Sequence, residues 1–144
     1  MILVSGCLLG LNCRYDQASK PNQAILEYLK GKAFMPICPE QMGGLTTPRP
    51  PCEIVGHDPL RVETEEGLDC TQAFLQGRDE VMKLLDLVTV DYAILKAKSP
   101  SCGSDFIYDG SFSQSLVPGQ GLMTQALREA GIDVYNENNF KSRD

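Results

Sequence analysis

The chain has 144 residues, a formal net charge of −6 and 42% hydrophobic residues. A chain of this length is typically one domain whose core is large enough to fold without disulfide bonds. We therefore expect a single domain over residues 1–144. Tight binding of duplex nucleic acid depends on basic patches that displace counterions, and the acidic balance argues against it.

No segment has the pattern of a targeting signal or a membrane span. Residues 1–4 lack a basic flank, and their apolar run ends at Ser5 and Gly6, unlike the core of a signal peptide. No run approaches the ~18 apolar residues of a transmembrane helix. We therefore expect a cytoplasmic protein whose six cysteines are free thiols or metal ligands rather than disulfides.

The first half of the chain predicts two strands and one helix. Residues 1–4 form a continuous apolar run, which is typical of a central parallel strand. A helix is predicted to start within residues 19–22, where a proline favours the first turn, and to end near residue 31. The next strand, residues 33–37, contains Pro36 and therefore favours the edge of a sheet. Residues 41–59 are predicted to form a long functional loop.

The second half continues the alternation of strands and helices. The predicted elements are a short strand at 61–64, a helix from Asp69 or Thr71 to about Leu87, a strand at 90–95, a helix at 122–130 and a last strand at 132–135. The polar tail from about residue 136 is expected to be flexible. This alternation predicts an α/β fold, in which a mainly parallel sheet carries helical layers on both faces.

Three cysteines follow three of the predicted strands. Cys7 comes after the first strand, Cys38 directly after the second, and Cys102 past the strand at 90–95. The carboxyl ends of parallel strands meet at one edge, where open α/β sheets bind ligands, so we expect the three sulfurs to share a metal or cluster site. Their spacing matches no local zinc or ferredoxin pattern. Three ordinary buried thiols are the alternative.

Three thiolate ligands would leave one iron of a four-iron cluster with an open position, which distinguishes a catalytic metal from a structural one. A soft atom such as a substrate sulfur suits that position. Cys13 could be a fourth ligand, which would close the site. Cys52 and Cys70 follow no predicted strand, and we interpret both as structural. His57, the only histidine, is expected to be exposed.

Polar residues accompany these cysteines. Glu40 stands two residues after Cys38, so it could be a general acid or base beside the site, or it could form a surface salt bridge or cap a helix. Ser99 and Ser101 could donate hydrogen bonds to cluster sulfur or to substrate, although serine beside proline also suits a turn. Arg49 could add a charge-assisted bond, but an exposed arginine is the more common case.

Five blocks of sequence occur in the order of a known family. They are Val4-Ser-Gly-Cys-Leu-Leu-Gly10, Cys13-Arg-Tyr-Asp16, Cys38-Pro-Glu40 with Gly43-Gly44-Leu45, Thr47-Pro-Arg-Pro50, and Lys98-Ser-Pro-Ser-Cys-Gly103. Together they resemble the DUF523 family, which includes a short form of thiouracil desulfidase. The resemblance covers nearly the whole chain, from Ile2 to about Tyr135, and the shared order of the blocks makes it specific.

The resemblance implies a small Rossmann-like α/β domain of three layers that holds an oxygen-sensitive [4Fe-4S] cluster through three cysteines. It also implies an enzyme whose substrate is a small thiolated nucleobase-like compound. In this family the open iron takes the sulfur of a thiocarbonyl and water replaces it. The products would be uracil and sulfide, without net redox change.

The resemblance also implies roles for single residues. The implied cluster ligands are Cys7, Cys38 and Cys102. Glu40 would transfer protons, and Ser101 or Ser99 would orient the substrate. The family position that matches Cys13 need not be cysteine, so Cys13 becomes a nearby thiol.

Two departures from the family pattern bear on substrate identity more than on fold. Gln17-Ala18 stands where many relatives carry a glycine pair, and Cys52 stands where many have a small residue. The alternative function is a non-catalytic zinc or cluster module in which Cys13 is the fourth ligand. A thiol-based redox protein is a third class, and the lack of any Cys-x-x-Cys pair counts against it.

Overall fold

The computed structural model describes residues 1–18 and 21–143 and is organised around a four-stranded parallel sheet. The strands are β1 (Ile2–Ser5), β2 (Phe34–Ile37), β3 (Cys52–His57), β4 (Leu60–Thr64), β5 (Tyr92–Ile94), β6 (Phe106–Tyr108), β7 (Leu116–Pro118) and β8 (Asp133–Tyr135). The helices are α1 (Gln23–Leu29), α2 (Pro39–Met42), α3 (Thr71–Met82) and α4 (Leu122–Glu129), with 3-10 turns at Gly6–Leu9, Lys83–Asp86 and Phe140–Arg143. The predicted α/β fold is confirmed.

The order of the main sheet creates a crevice at its centre. The strands run β2-β1-β5-β8, and all neighbours are parallel. As predicted, β1 is central, and β2, which contains Pro36, lies at an edge. The chain moves outward from β1 to β2 and later returns to the other side of β1 as β5. Ligands of open α/β sheets bind beyond the carboxyl ends of the strands at such a reversal.

Alternate residues of β1 pack against opposite helical layers. Leu3 lies in a buried cluster with residues of α3 and α4, while Ile2 and Val4 lie in a cluster with residues of α1 and with Phe140. This two-residue period is what a strand buried on both faces requires. The fold therefore has the three layers expected of a Rossmann-like domain.

The prediction of one long loop over residues 41–59 is wrong. The end of α2 and all of β3 lie in this range, and β3 pairs antiparallel with β4, the strand predicted at 61–64. The apolar side chains of β3 pack in a satellite cluster with Phe74 of α3 rather than on the main sheet. The strand is hard to see in the sequence because Glu53 and Gly56 interrupt its apolar pattern. The hairpin of β6 and β7 was likewise not predicted.

The starts of the helices follow capping chemistry. Asn22 caps α1, and its side chain accepts a hydrogen bond from the amide of Ile25 at 3.0 Å. Two residues of the predicted start of this helix, 19 and 20, lie outside the described residues. At α3 the carboxylate of Asp69 accepts the amide of Thr71 at 2.9 Å, which agrees with the predicted start. A 3-10 turn then carries the chain to Asp86, close to the predicted end.

The segment after β8 is held by buried side chains. Asn136 and Phe140 are both buried, and the ring of Phe140 lies edge-on to that of Tyr28, with 5.2 Å between the ring centroids. Such contacts anchor a terminal segment, and the polar composition that predicts flexibility does not reveal them. In the part of the chain that the structure describes, no helix is long and apolar enough to cross a membrane.

Candidate active site

One cavity lies at the carboxyl edge of the main sheet and collects most of the predicted site residues. Its volume is about 520 Å³. The predicted residues that line it are Cys7, Cys13, Cys38, Glu40, Ser99, Ser101 and Cys102. Cys7 lies in the 3-10 turn after β1, and Cys38 directly follows β2. His57 is exposed in the β3–β4 hairpin, as predicted, and does not line the cavity.

The loop after β5 holds Cys102 firmly. The amide of Cys102 donates to Ser99 Oγ at 2.7 Å, and its carbonyl accepts from Thr124 Oγ1 at 2.8 Å. The first amides of α4 also dock on this loop, since Met123 N donates to the carbonyl of Ser101 at 2.8 Å. The free donors at the start of a helix are thereby satisfied, and Cys102 is fixed beside the cavity.

A close contact between two helices positions Cys38 and Glu40. Cys38 is the N-cap of α2, and Glu40 lies in its first turn. Gly43 at the end of α2 meets Gly77 of α3, where an added Cβ would lie 1.9 Å from a carbonyl oxygen on the Gly43 side and 1.8 Å on the Gly77 side. Only glycine permits this approach. The short helix α2 is therefore braced by α3.

The thiols at the cavity differ in acidity. Burial raises the pKa of Cys7 to about 11 and that of Cys102 to about 12. A hydrogen bond with Cys13 and another from the amide of Gln41 lower the pKa of Cys38 to about 6, while the pKa of Cys13 is raised by the same bond. Among the thiols at the cavity, Cys38 is therefore the one whose surroundings favour the thiolate.

A hydrogen-bonded chain links Glu40 to the cysteine loop. Glu40 Oε2 accepts a hydrogen bond from Ser101 Oγ at 2.9 Å, and Ser101 Oγ lies 3.2 Å from Ser99 Oγ. Ser101 Oγ is also 3.7 Å from Cys102 Sγ. Of the alternatives for Glu40, the structure therefore shows a partly buried, paired carboxylate beside the sulfurs rather than a surface salt bridge.

Arg49 binds Glu40 through several hydrogen bonds. Its side chain is only 6% exposed, and its Nε and Nη2 both donate to Glu40 Oε1, at 3.2 and 3.0 Å. The remaining donors contact Thr47 Oγ1 at 2.9 Å and the carbonyls of Thr46 and Cys13 at 3.0 and 3.1 Å. Of the two possibilities for Arg49, the structure shows the charge-assisted bond and not the exposed side chain.

The other cysteines lie at different distances from the cavity. Cys13 is buried and hydrogen-bonds to Cys38, and Cys52 also lines the cavity. Cys70 does not line it; it precedes α3 and hydrogen-bonds to Cys52. Within residues 1–18 and 21–143, no three Cys, His, Asp or Glu side chains are grouped so that they could hold one metal ion. The cavity cysteines therefore surround a space without meeting at a point.

Aromatic and charged side chains complete the walls. Tyr15, Tyr108 and Phe112 supply rings, while Arg14 and Lys96 supply positive charge. Both cations act to lower the pKa of Cys7, although burial outweighs them. The cavity thus offers apolar ring surfaces, several thiols, the hydrogen-bonded carboxylates of Glu40 and Glu53, and two cations that are paired with Asp16 and Glu137.

Comparisons with known proteins agree across nearly the whole chain. Residues 2–139 match the sequence model of a family described as 2-thiouracil desulfurase. The uncharacterised protein YbbK of Bacillus subtilis (strain 168) is 37% identical over 145 residues, which cover 96% of each chain. A solved structure described as the [4Fe-4S]-dependent thiouracil desulfidase TudS is 41% identical, with a TM-score of 0.87 over 98% of this chain and 93% of that one.

Proposed function

Because this chain belongs to the 2-thiouracil desulfurase family, we propose that it is a [4Fe-4S]-dependent desulfidase that removes the sulfur of a small thiolated nucleobase as sulfide. A solved relative carries that description. The observation that carries the proposal to these residues is that Cys7, Cys38 and Cys102 share one cavity with the Glu40–Ser101 pair. We also propose that it acts in the cytoplasm, because its six cysteines are free thiols and the cytoplasm keeps thiols reduced.

The donor set fits a cluster better than a single ion. Each thiolate of an iron–sulfur cluster binds a different iron, so its sulfurs surround a volume instead of meeting at a point. Cys7, Cys38 and Cys102 line the cavity in this manner and are the ligands we assign. Their three thiolates would leave one iron open, and when bound the cluster supplies a Lewis acid that accepts soft sulfur.

The reaction exchanges sulfur for oxygen without electron transfer. The carbon of the thiocarbonyl loses its bond to sulfur and gains one to the oxygen of water, while the two protons of water end on sulfur as hydrogen sulfide. Glu40 Oε2 is the atom we assign to move a proton, because Arg49 occupies Oε1. Such general acid–base assistance requires a carboxylate within hydrogen-bond reach of the reacting water.

Ser101 is better placed than Ser99 to orient the substrate. Ser99 Oγ already accepts the amide of Cys102 at 2.7 Å, so its role is to fix the loop. Ser101 Oγ contacts Glu40 and borders the cavity. Its hydroxyl can turn from the carboxylate toward a ring oxygen or nitrogen of the substrate, since hydroxyls both donate and accept.

Anaerobic reconstitution tests the proposal. We expect a brown protein with about four iron and four sulfide per chain that releases sulfide from 2-thiouracil or 4-thiouracil and forms uracil. The matched control is the same protein treated in parallel without iron. A protein that stays colourless after treatment with iron and sulfide and retains one tightly bound zinc would favour the alternative in which Cys13 completes a structural site. An iron-loaded protein that releases no sulfide from any thiolated pyrimidine would refute the activity.

A further inference from the structure

Backbone strain is concentrated at the cavity. Among the described residues, four other than glycine have positive φ, namely Gln17, Lys98, Phe112 and Gln114. Three of them, Lys98, Phe112 and Gln114, line the cavity. Side chains disfavour this conformation, and it persists only where surrounding contacts impose it, often at functional sites. Phe112 and Gln114, with φ of 57° and 62°, belong to the loop between β6 and β7.

Hydrogen bonds within this loop, residues 109–115, restrict its conformation. The amide of Asp109 donates to the carbonyl of Ser115 at 3.0 Å, and the amide of Ser111 donates to Asp109 Oδ1 at 2.9 Å. Ser113 Oγ lies 2.9 Å from Ser115 Oγ. These short-range bonds restrict the conformations open to the loop, so Phe112 at its centre is held in a defined place.

A buried carboxylate then fixes the loop to the body of the protein. Glu53 of β3 is 8% exposed, and its Oε1 accepts the amides of Gly110 at 2.9 Å and Phe112 at 3.2 Å. A Cβ on Gly110 would lie 2.7 Å from the carbonyl oxygen of Ile54, so the loop approaches β3 closely. Charge-assisted hydrogen bonds that two amides donate to one buried carboxylate are strong. They place the Phe112 ring beside the cavity.

We propose that Phe112 recognises the flat ring of the substrate by stacking, and that Glu53 is the residue that positions it. This inference rests on the proposed function and adds a determinant of specificity to it. Phe112 is half-buried and offers no hydrogen-bonding group, so it distinguishes a substrate by its planar apolar face. Stacking between an aromatic side chain and a nucleobase makes a substantial contribution to binding. The preferred substrate class is therefore an aromatic heterocycle bearing C=S, rather than an acyclic thiocarbonyl.

The test compares Phe112→Leu with Phe112→Tyr, which keeps the aromatic face. For Phe112→Leu we expect the dissociation constant of uracil, measured by calorimetry, and the KM for 4-thiouracil to rise about tenfold or more. Its kcat and iron content should stay close to those of the wild type, and Phe112→Tyr should bind within about threefold of it. Phe106→Leu is the matched control, because Phe106 lies in β6 and does not line the cavity.

Variants of Glu53 test the positioning role. Glu53→Ala removes the acceptor and should raise the KM as Phe112→Leu does, whereas Glu53→Gln retains an oxygen acceptor and should recover most of the lost affinity. If Glu53→Ala does not fold, the comparison of Phe112→Leu with Phe112→Tyr still decides. Wild-type uracil affinity and KM in Phe112→Leu would overturn the inference while leaving the proposed function intact. An iron-loaded wild type that releases no sulfide would overturn both.

Discussion

Two sets of groups line the cavity, the cysteines and the Glu40–Ser101 pair, and different contacts hold each set in place. Cys7, Cys38 and Cys102 owe their places to the ends of β1 and β2 and to a loop docked on α4. In the second set, Glu40 and Ser101 are joined by a side-chain bond to each other and, through Glu40, to Arg49. The strand ends and the docked loop place the sulfurs, whereas side-chain hydrogen bonds orient the carboxylate of Glu40. Binding of the cluster and proton transfer should therefore be separable by mutation.

Loss of one of the three proposed cysteine ligands should abolish binding of the cluster. Cys38→Ser replaces a thiolate with a hydroxyl, which is a poor ligand for iron in a cluster, so we expect iron content and sulfide release to fall to background after anaerobic reconstitution. Cys70→Ser is the matched control, since Cys70 does not line the cavity, and it should retain iron. Full iron content in Cys38→Ser would remove Cys38 from the ligand set.

Replacing Glu40 should impair proton transfer and leave binding of the cluster unchanged. Glu40→Gln keeps the shape of the side chain but cannot accept a proton, so we expect kcat to fall about 100-fold or more while the iron content and visible spectrum stay unchanged. Stopped assays of sulfide and absorbance of the reconstituted protein measure the two effects. Sulfide release at a near-normal rate would exclude Glu40 as the proton-transfer residue.

Arg49→Lys should weaken the contacts that hold Glu40 in place but should not remove them all. Lysine keeps the charge but cannot donate from two nitrogens to one carboxylate oxygen while also reaching Thr46, Thr47 and Cys13. We expect retained iron, a loss of about tenfold in kcat, and a fall of about 2 kcal/mol in the free energy of unfolding of the metal-free protein in urea. The matched control, Arg78→Lys in a more exposed pair with Asp79, should change that free energy by less than about 0.5 kcal/mol. Equal effects of the two substitutions would refute a special role for Arg49.

Cys13→Ala should have the smallest effect, and it tests whether Cys13 is a fourth ligand of the cluster. Iron content and kcat are expected to stay near wild type, because Cys13 is outside the proposed set of ligands. In the metal-free protein, however, Cys38 loses the hydrogen bond that lowers its pKa to about 6. The thiolate then forms only at higher pH, so alkylation of Cys38, mapped by mass spectrometry, should begin at higher pH. Loss of iron from this variant would support the four-thiolate alternative.

The sequence predicts the positions of the three cysteines better than those of the residues held by side-chain contacts. The continuous apolar runs before Cys7 and Cys38 identify two parallel strands, and the geometry of parallel sheets brings their ends together. Cys102 joins them because β5 lies next to β1. For these three residues the fold follows from local patterns, and the fold in turn predicts a shared cavity.

Residues placed by long-range side-chain contacts could not be predicted in this way. Arg49 reaches Glu40 only because of the path taken by the loop between α2 and β3, and no periodicity encodes that path. Phe112 is held by Glu53, which is 59 residues away in sequence, from a strand that the apolar pattern conceals. Cys52 was interpreted as structural, yet it too lines the cavity because β3 begins there.

The glycine contact between α2 and α3 has a practical consequence for engineering. Gly43 and Gly77 bring two backbones so close that neither position tolerates a side chain. The helix α2, which bears Glu40, starts directly after Cys38. A library that seeks new substrates should therefore keep both glycines invariant and diversify residues 111–114, because this loop is separate in sequence from the segments that carry Cys7, Cys38 and Cys102. The contact between α2 and α3 should thus be conserved in such a library, whereas the loop between β6 and β7 can be varied.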